Sequence, residues 1–150
     1  TVNQNLPESK GSIHIKSTNP EDPPTIKFNF LSNSLDRDTL VSGVKLIRKL
    51  MKSETMKEFC GEEVQPGESC SSDDDILKFI RDKAETVYHP SGTCKMGFDQ
   101  ESVVDKNLKV HGIKGLRIAD ASIMPTLVSG NTNAVCMMIG ERCADFILNS

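Results

Sequence analysis

The chain has 150 residues, of which 37% are hydrophobic and 26% charged, and it carries a formal net charge of −3 at pH 7. A chain of this length can bury one substantial core, and a slightly acidic balance without a basic block gives no support for nucleic-acid binding. No apolar run approaches the roughly 20 residues that a membrane-spanning helix needs. Composition therefore describes an ordinary globular chain, and the function has to be sought in its motifs.

Two segments near the start alternate apolar and polar residues, "GSIHIKS" at 11–17 and "TIKFNFL" at 25–31. Alternation with a period of two is typical of a half-buried strand. The apolar faces consist of Ile13 and Ile15 in the first segment and of Ile26, Phe28 and Phe30 in the second. Because the turn-rich "TNPEDPP" separates them, the sequence predicts two antiparallel neighbours in a sheet.

Three later segments have apolar residues at helical spacing: 35–59, 72–86 and 131–150. The first has acidic residues in its first turn and basic residues in its last, and the second starts with a Ser/Asp cap. The predicted inward residues are Leu40, Val44, Ile47 and Met51, then Ile76, Phe79 and Ile80, then Val135, Met138, Ile139 and Phe146. Residues 102–126 are predicted to form short strands and turns, with "LRIAD" at 116–120 as the best strand. The predicted fold class is mixed α/β (α+β).

Five cysteines are scattered along the chain, at Cys60, Cys70, Cys94, Cys136 and Cys143. Cys60 and Cys70 flank a loop that could close as a disulfide, but cysteine usage favours reduced thiols and an intracellular compartment. The spacings do not match those of structural zinc sites, so no metal is predicted. Cys94 beside Lys95 could be a reactive thiol, although no acyl-transfer triad accompanies it.

The stretch "YHPSGTCKMG" at 88–97 contains a histidine followed by a Pro-Ser-Gly turn. A neutral imidazole is the usual general base near neutral pH, and the turn limits where the chain can go. His89 is therefore either a presented general base or a structural histidine. His14, on the polar face of a predicted strand, and His111, in a turn, are interpreted as structural.

A second polar cluster, "SGNTNA" at 129–134, lies at the start of the last predicted helix. Helix N termini expose N–H groups and a partial positive charge, and so favour anions. Asn131 and Asn133 could cap the helix, or Asn131 could donate a hydrogen bond to a substrate oxygen. Asp120 ends the predicted strand "LRIAD" and Ala121 follows it, and loops at sheet ends commonly bind cofactors in α/β folds.

These stretches, in this order, resemble the C-terminal region of the glucose–methanol–choline family of flavin oxidoreductases. The matching segments are "LPESKGSIHIKS", "DPPTIKFNFLS", "AETVYHPSGTCKMG", "VVDKNLKVHGIKGLRIADASIMP" and "SGNTNA". The resemblance implies an FAD-dependent enzyme that oxidises an alcohol to an aldehyde or ketone and passes electrons to a quinone or to oxygen. Its nearest likeness is to alcohol and choline dehydrogenases, which favours a dehydrogenase.

The resemblance also implies roles for particular residues. His89 would be the general base, Asn131 would hydrogen-bond the substrate oxygen, and hydride would pass to flavin N5. Residues near the cofactor would be Asp120 and Ala121 beside the ribityl–pyrophosphate region, and Thr132 and Asn133 beside the flavin pyrimidine edge. Residues 1–95 would belong to an antiparallel-sheet substrate domain, and 96–150 would supply the last strand and helix of a Rossmann-like FAD domain.

The dinucleotide-binding fingerprint G-x-G-x-x-G is missing from this sequence. We therefore expect a piece of a longer protein that lacks the N-terminal dinucleotide-binding half and that neither holds FAD tightly nor catalyses by itself. Three alternatives stay open: an FAD-containing hydroxynitrile lyase, a truncated binding module without catalysis, and a small thiol protein using Cys94.

Overall fold

The computed structural model describes residues 1–149, which form two compact units. One unit comprises residues 1–12 and 25–87, and the other comprises residues 13–24 and the chain from Tyr88 onward. The regular elements are β1 (Ser12–His14), β2 (Thr25–Lys27), α1 (Ser34–Met51), α2 (Glu54–Lys57), α3 (Asp73–Lys83), a 3₁₀ turn (Ala121–Ile123) and α4 (Asn133–Leu148). The predicted mixed α/β class is confirmed, whereas the division into substrate and FAD domains stays a prediction.

The two predicted strands pair in a small antiparallel sheet, but each is only three residues long. The second strand ends early because Asn29 and Leu31 adopt the left-handed conformation, with φ of 55° and 59°. The Asn29 side chain donates from Nδ2 to the carbonyl oxygen of Lys10 at 3.0 Å, which holds this bend. The rings of Phe28 and Phe30 stack with their centroids 5.1 Å apart.

The helix predicted at 35–59 is two helices with a break between them. Asn33 caps α1, accepting a hydrogen bond from the Leu35 N–H at 2.8 Å. After Met51 the chain becomes extended at Ser53, with ψ of 151°, and this residue occupies the N-cap position of α2. Met51 was predicted to face inward, and this is wrong: it is 42% exposed, because it lies in the last turn, where the helix ends.

Helix α3 begins at a capping box in which Ser72 and Asp75 bond each other's backbone N–H groups. It ends at Lys83, three residues before the predicted end, because Ala84 is extended with ψ of 140°. Its residues Ile76 and Ile80 are buried against Val41 of α1. Full burial of a side chain such as Ile76 contributes roughly 1.5–3 kcal/mol relative to exposure.

Two buried or half-buried polar side chains fasten the segments around α1. The Asp36 carboxylate is 2% exposed and accepts hydrogen bonds from Gln4 Nε2 at 2.9 Å and from the backbone N–H groups of Glu8 and Ser9 at 2.8 and 2.7 Å. Burial raises the pKa of Asp36, but the bonds from Ser9, Glu8 and Gln4 outweigh it and hold the pKa below 3.8. The N-terminal segment is thereby tied to the helix.

The second of these side chains, Arg48, holds the loop at 60–70. Arg48 donates from Nε and one terminal nitrogen to the carboxylate of Glu63 at 2.8–3.0 Å, and it also donates to the carbonyl oxygens of Gly67 and Cys70. The hydrogen bond with Glu63 raises the pKa of Arg48, and the same bond lowers the pKa of Glu63. Because the pair is bidentate, it fixes the orientation of Glu63 relative to Arg48 as well as the distance between them.

The core of the other unit lies beneath α4. It consists of Val104, Leu108, Ile123, Met124, Ile139 and Cys143. The predicted inward position of Met138 is wrong: this side chain is 56% exposed. Successive helix residues are about 100° apart, and Met138 therefore points away when its neighbour Ile139 faces the core.

The predicted strand "LRIAD" at 116–120 is also wrong as a regular element. Only an isolated antiparallel bridge joins Lys109 to Arg117, and the Ile118 N–H donates to the carbonyl oxygen of Leu108 at 3.1 Å. A strand requires a ladder with a neighbour, and among residues 1–149 no named strand lies beside this segment. The residue pattern of a single segment does not show whether another strand will lie beside it to complete the ladder.

Among the helices of residues 1–149, none has the length and mean hydropathy of a membrane-spanning segment. The five cysteines are free thiols, and the Cys60 Sγ lies 3.4 Å from the Met51 Sδ. The same residues include no group of three or more His, Cys, Asp or Glu side chains arranged to hold a metal.

Candidate functional site

The histidine loop, residues 88–97, lies alongside the 3₁₀ turn at 121–123. Alternate N–H groups of the loop donate to successive carbonyls of the turn: Gly92 to Ala121 at 3.2 Å, Cys94 to Ser122 at 2.9 Å and Met96 to Ile123 at 2.8 Å. These three bonds align the two segments and fix the loop from Gly92 to Met96.

Two residues with positive φ bracket His89 in this loop. Tyr88, immediately before it, has φ of 62°, and Gly92 has φ of 81°. A non-glycine residue held in such a conformation costs of the order of 1–3 kcal/mol, and such residues cluster at functional sites. A β-carbon at Gly92 would lie 3.3 Å from the carbonyl oxygen of Met124, so this position combines a left-handed backbone with a close approach.

The imidazole of His89 contacts the start of α4. Its Nδ1 lies 2.9 Å from the hydroxyl oxygen of Thr132, a hydrogen bond between residues 43 apart in sequence. His89 is half-buried, and Thr132 is only 7% exposed. Within residues 1–149 no hydrogen bond engages Nε2 of His89. The ring is therefore held at one nitrogen, and the other is available to a ligand.

The N terminus of α4 lacks a side-chain cap. Thr132 occupies the cap position with helical dihedrals (φ −79°, ψ −11°), and its hydroxyl makes no capping bond. The first bond of the helix runs from the Cys136 N–H to the Thr132 carbonyl at 2.9 Å, and no acidic residue lies in the first turn. The N–H groups of that turn and their partial positive charge are therefore unneutralised by this helix, as in anion-binding helix starts.

Two asparagines flank Thr132. Asn131 and Asn133 are both exposed, and in the described part of the chain neither side-chain amide is engaged in a hydrogen bond. Neither side chain therefore caps the helix, which was one of the two roles open to Asn131 from the sequence. Each amide offers donors and an acceptor to a ligand at the position where the His89 ring meets the helix.

Asp120 and Ala121 form the start of the 3₁₀ turn. Asp120 caps it, since its Oδ1 accepts from the Ser122 N–H at 2.7 Å. The Ala121 carbonyl accepts from Gly92 and from Met124. Both residues therefore stabilise the turn. Any cofactor contact would use their remaining backbone groups and the second carboxylate oxygen of Asp120.

The far end of the histidine loop is held by a small charged group. Lys95 Nζ lies 3.1 Å from Asp99 and 3.5 Å from Glu101. The bond with Asp99 raises the pKa of Lys95 and lowers the pKa of Asp99. Because the Lys95 charge is engaged by carboxylates, it gives no specific support to a reactive Cys94.

The histidine loop thus contacts both segments that contain the other predicted site residues, the start of α4 and the 3₁₀ turn. Thr132 joins His89 to the segment with Asn131 and Asn133, and the backbone bond from Gly92 joins the histidine loop to Ala121. Sequence reasoning missed the side-chain role of Thr132 and the unusual backbone of Tyr88. The caps considered from the sequence were Asn131 and Asn133, and nothing in the sequence signalled that the Thr132 hydroxyl bonds a distant histidine.

A half-buried histidine beside an uncapped helix start, in a mixed α/β fold, can bind and deprotonate a small polar molecule. The family model that matches the chain, over residues 7–140, is that of the GMC oxidoreductases. The chain belongs to this family.

Individual proteins are also similar to this chain in sequence and in structure. The chain is 44% identical over 139 residues to an oxygen-dependent choline dehydrogenase of Escherichia coli O139:H28, covering 93% of this chain and 25% of that protein. A pyridoxine 4-oxidase from Mesorbium loti has a similar fold, with a TM-score of 0.89, 30% identity, and coverage of 97% of this chain and 28% of its own. An FAD-dependent oxidoreductase from Chaetomium thermophilum has a TM-score of 0.84 and 31% identity, over 91% of this chain and 24% of its own. The chain spans about a quarter of the length of these proteins.

Proposed function

We propose that the protein containing this chain is an FAD-dependent oxidoreductase that oxidises an alcohol to an aldehyde or ketone. The observation that carries the proposal is the His89 ring, fixed through Nδ1 against the start of α4, with Nε2 unbonded within residues 1–149. The family membership and the resemblance to FAD-dependent proteins support the cofactor.

In this proposal Nε2 of His89 takes the hydroxyl proton of the alcohol. Loss of that proton makes the hydrogen on the adjacent carbon easier to remove as hydride. A positioned general base contributes roughly 10²–10⁴-fold to the rate. Asn131 donates a hydrogen bond from its amide to the same substrate oxygen and stabilises it as its proton leaves.

The residues at the start of α4 fit a flavin. The helix has no side-chain cap and no acidic residue in its first turn, so its N–H groups can meet a polar and electron-rich ring edge. Thr132 and Asn133 would supply backbone N–H groups there, and Asp120 and Ala121 would hold the remainder of the cofactor. FAD, when bound, supplies the hydride acceptor. The helix dipole would favour negative charge at this end by about 0.3–2 kcal/mol.

The proposed substrate is a small alcohol, and a choline-type dehydrogenase with a quinone or oxygen as electron acceptor is the favoured form. This specificity rests on the 44% identity to an oxygen-dependent choline dehydrogenase. The proposal needs no metal.

The test is the visible absorption of the native protein containing this chain, recorded under nitrogen before and after adding choline and other simple alcohols. We expect an oxidised flavin spectrum that bleaches with a substrate alcohol. A flavin that no alcohol bleaches would favour the lyase alternative, and a protein without flavin would contradict the proposal.

The 150-residue chain by itself is a useful control. We propose that it does not retain FAD at stoichiometry and does not oxidise alcohols, because it lacks a dinucleotide-binding fingerprint. Retention of one flavin per chain after gel filtration would contradict this part of the proposal.

A further inference from the structure

We infer that the hydroxyl of Thr132 is a positioning group that selects the tautomer of His89, with the imidazole Nδ1–H donating to Thr132 Oγ1. This inference rests on the proposed function of His89 as a base and adds how the base is prepared. It concerns a side chain, whereas the cofactor role expected of Thr132 concerns its backbone N–H.

The hydroxyl is diverted from the task that its position normally gives it. A threonine at an N-cap usually has extended dihedrals and accepts a bond from an N–H of the first turn. Thr132 instead has helical dihedrals, makes no capping bond, and directs its oxygen to His89 Nδ1 at 2.9 Å. Thr132 is only 7% exposed, so water competes poorly for this bond.

The direction of the bond decides whether His89 can act as a base. If Nδ1 carries the proton and donates to Oγ1, Nε2 keeps its lone pair and can accept a proton from a hydroxyl. If the threonine hydroxyl donates to Nδ1, the proton is on Nε2, and that nitrogen cannot accept another. After proton transfer both ring nitrogens carry hydrogen, and Oγ1 still serves as acceptor. One acceptor thus suits both the resting base and its protonated form, as in other histidines whose second nitrogen is fixed by a partner.

The charged groups around the ring do not replace this function. The first turn of α4 carries no acidic residue, and the carboxylate of Asp120 in the adjoining 3₁₀ turn already accepts from the Ser122 N–H. At the far end of the loop, Lys95, Asp99 and Glu101 bond one another. The described residues therefore give the His89 ring one identified polar partner, which is Thr132.

The experiment compares Thr132→Val, which keeps the shape and removes the hydroxyl, with Thr132→Ser, which restores it. Native protein is labelled with ¹⁵N at histidine, and the His89 ring signals are assigned by their loss in His89→Gln. In the parent protein and in Thr132→Ser we expect ring shifts of the Nδ1–H tautomer. In Thr132→Val we expect a mixture or the Nε2–H form, with kcat for alcohol oxidation lowered about 10-fold or more and bound flavin unchanged.

The outcomes separate this inference from the proposed function. An unchanged Nδ1–H tautomer in Thr132→Val, or a parent protein in the Nε2–H form, would overturn the inference even if His89 proves essential. A tautomer that changes with the hydroxyl while His89→Ala keeps full turnover would uphold the positioning and remove the proposed base. If Thr132→Val does not fold, failure of Thr132→Ser to keep the parent tautomer decides against the inference, and its success supports it.

Discussion

Asp36 and His89 are both polar groups bonded by segments far away in sequence, but they differ in what is left unbonded. Asp36 is 2% exposed, and both of its carboxylate oxygens accept bonds from the N-terminal segment. His89 is half-buried and bonded at Nδ1, while Nε2 has no partner among residues 1–149.

The difference indicates how structural and functional polar groups can be separated. A group whose hydrogen-bonding capacity is fully used by the protein gives stability and a fixed arrangement. A group held firmly by one atom, with another atom unused, is positioned for a ligand. By this criterion Arg48 and Asp36 are structural, whereas His89 is a candidate for chemistry.

The largest expected effect tests the functional side of this comparison. His89→Ala in the native protein should lower turnover of an alcohol by about 10²–10⁴-fold while flavin stays bound, because the base is lost. His111→Ala is the matched control: Nε2 of His111 bonds the Gly97 carbonyl at 3.0 Å, which is a structural use of the ring. Equal losses in both variants, measured as kcat per bound flavin, would break the comparison.

The next effect concerns the core beneath the structural groups. Ile76 is fully buried, and Ile76→Ala should lower the free energy of unfolding by about 2–5 kcal/mol in urea titrations. Turnover per folded molecule should be unchanged. Val104→Ala should cost less stability but reduce turnover, since Val104 belongs to the core cluster against which Met96 of the histidine loop packs. The reverse pattern would show that the unit containing α1 and α3 carries the chemistry.

Asp36 itself should have a smaller effect, limited to stability. Asp36→Asn should cost about 1.5–3 kcal/mol, because the amide nitrogen would face N–H donors. The matched control is Asp38→Asn, an exposed carboxylate on the same helix, for which little change is expected.

The pH dependence of Asp36 follows from the direction of its shift. Its pKa in the folded chain is below the ordinary value of 3.8, so its contribution is complete above that pH and is lost as pH falls through the folded value. Urea titrations between neutral pH and pH 3 should therefore show a steeper acid loss in the parent protein than in Asp36→Asn. Parallel curves would show that the carboxylate does not hold the N-terminal segment.

The smallest expected effect tests the backbone under the histidine. Gly92→Ala should destabilise by about 1–2 kcal/mol from the left-handed backbone alone, with a further cost from contact with the Met124 carbonyl. Gly112→Ala has a similar φ of 76° and open space around the added β-carbon, so it isolates the backbone cost. Equal losses of unfolding free energy in the two variants would show that the contact with the Met124 carbonyl adds no cost.

Much of the local structure could be predicted from the sequence. The capping residues of α3, the apolar spacing of Ile76 and Ile80, and the polar stretches around His89 and Asn131 are local signals, and helix starts and inward faces depend largely on them. The motifs also indicated the family, which is confirmed. The roles of the six site residues stay proposals.

Periodicity, caps and ordered motifs were enough to predict the mixed α/β class, the main helices and the family. Three features required the folded chain: "LRIAD" has no strand partner among residues 1–149, Met51 and Met138 are exposed, and the Thr132 hydroxyl bonds His89 rather than capping α4. These outcomes depend on contacts between residues far apart in the chain. The Thr132 hydroxyl could bond either an N–H of its own helix or a distant side chain, and the fold places His89 within reach. No local sequence pattern predicts which of the two bonds forms.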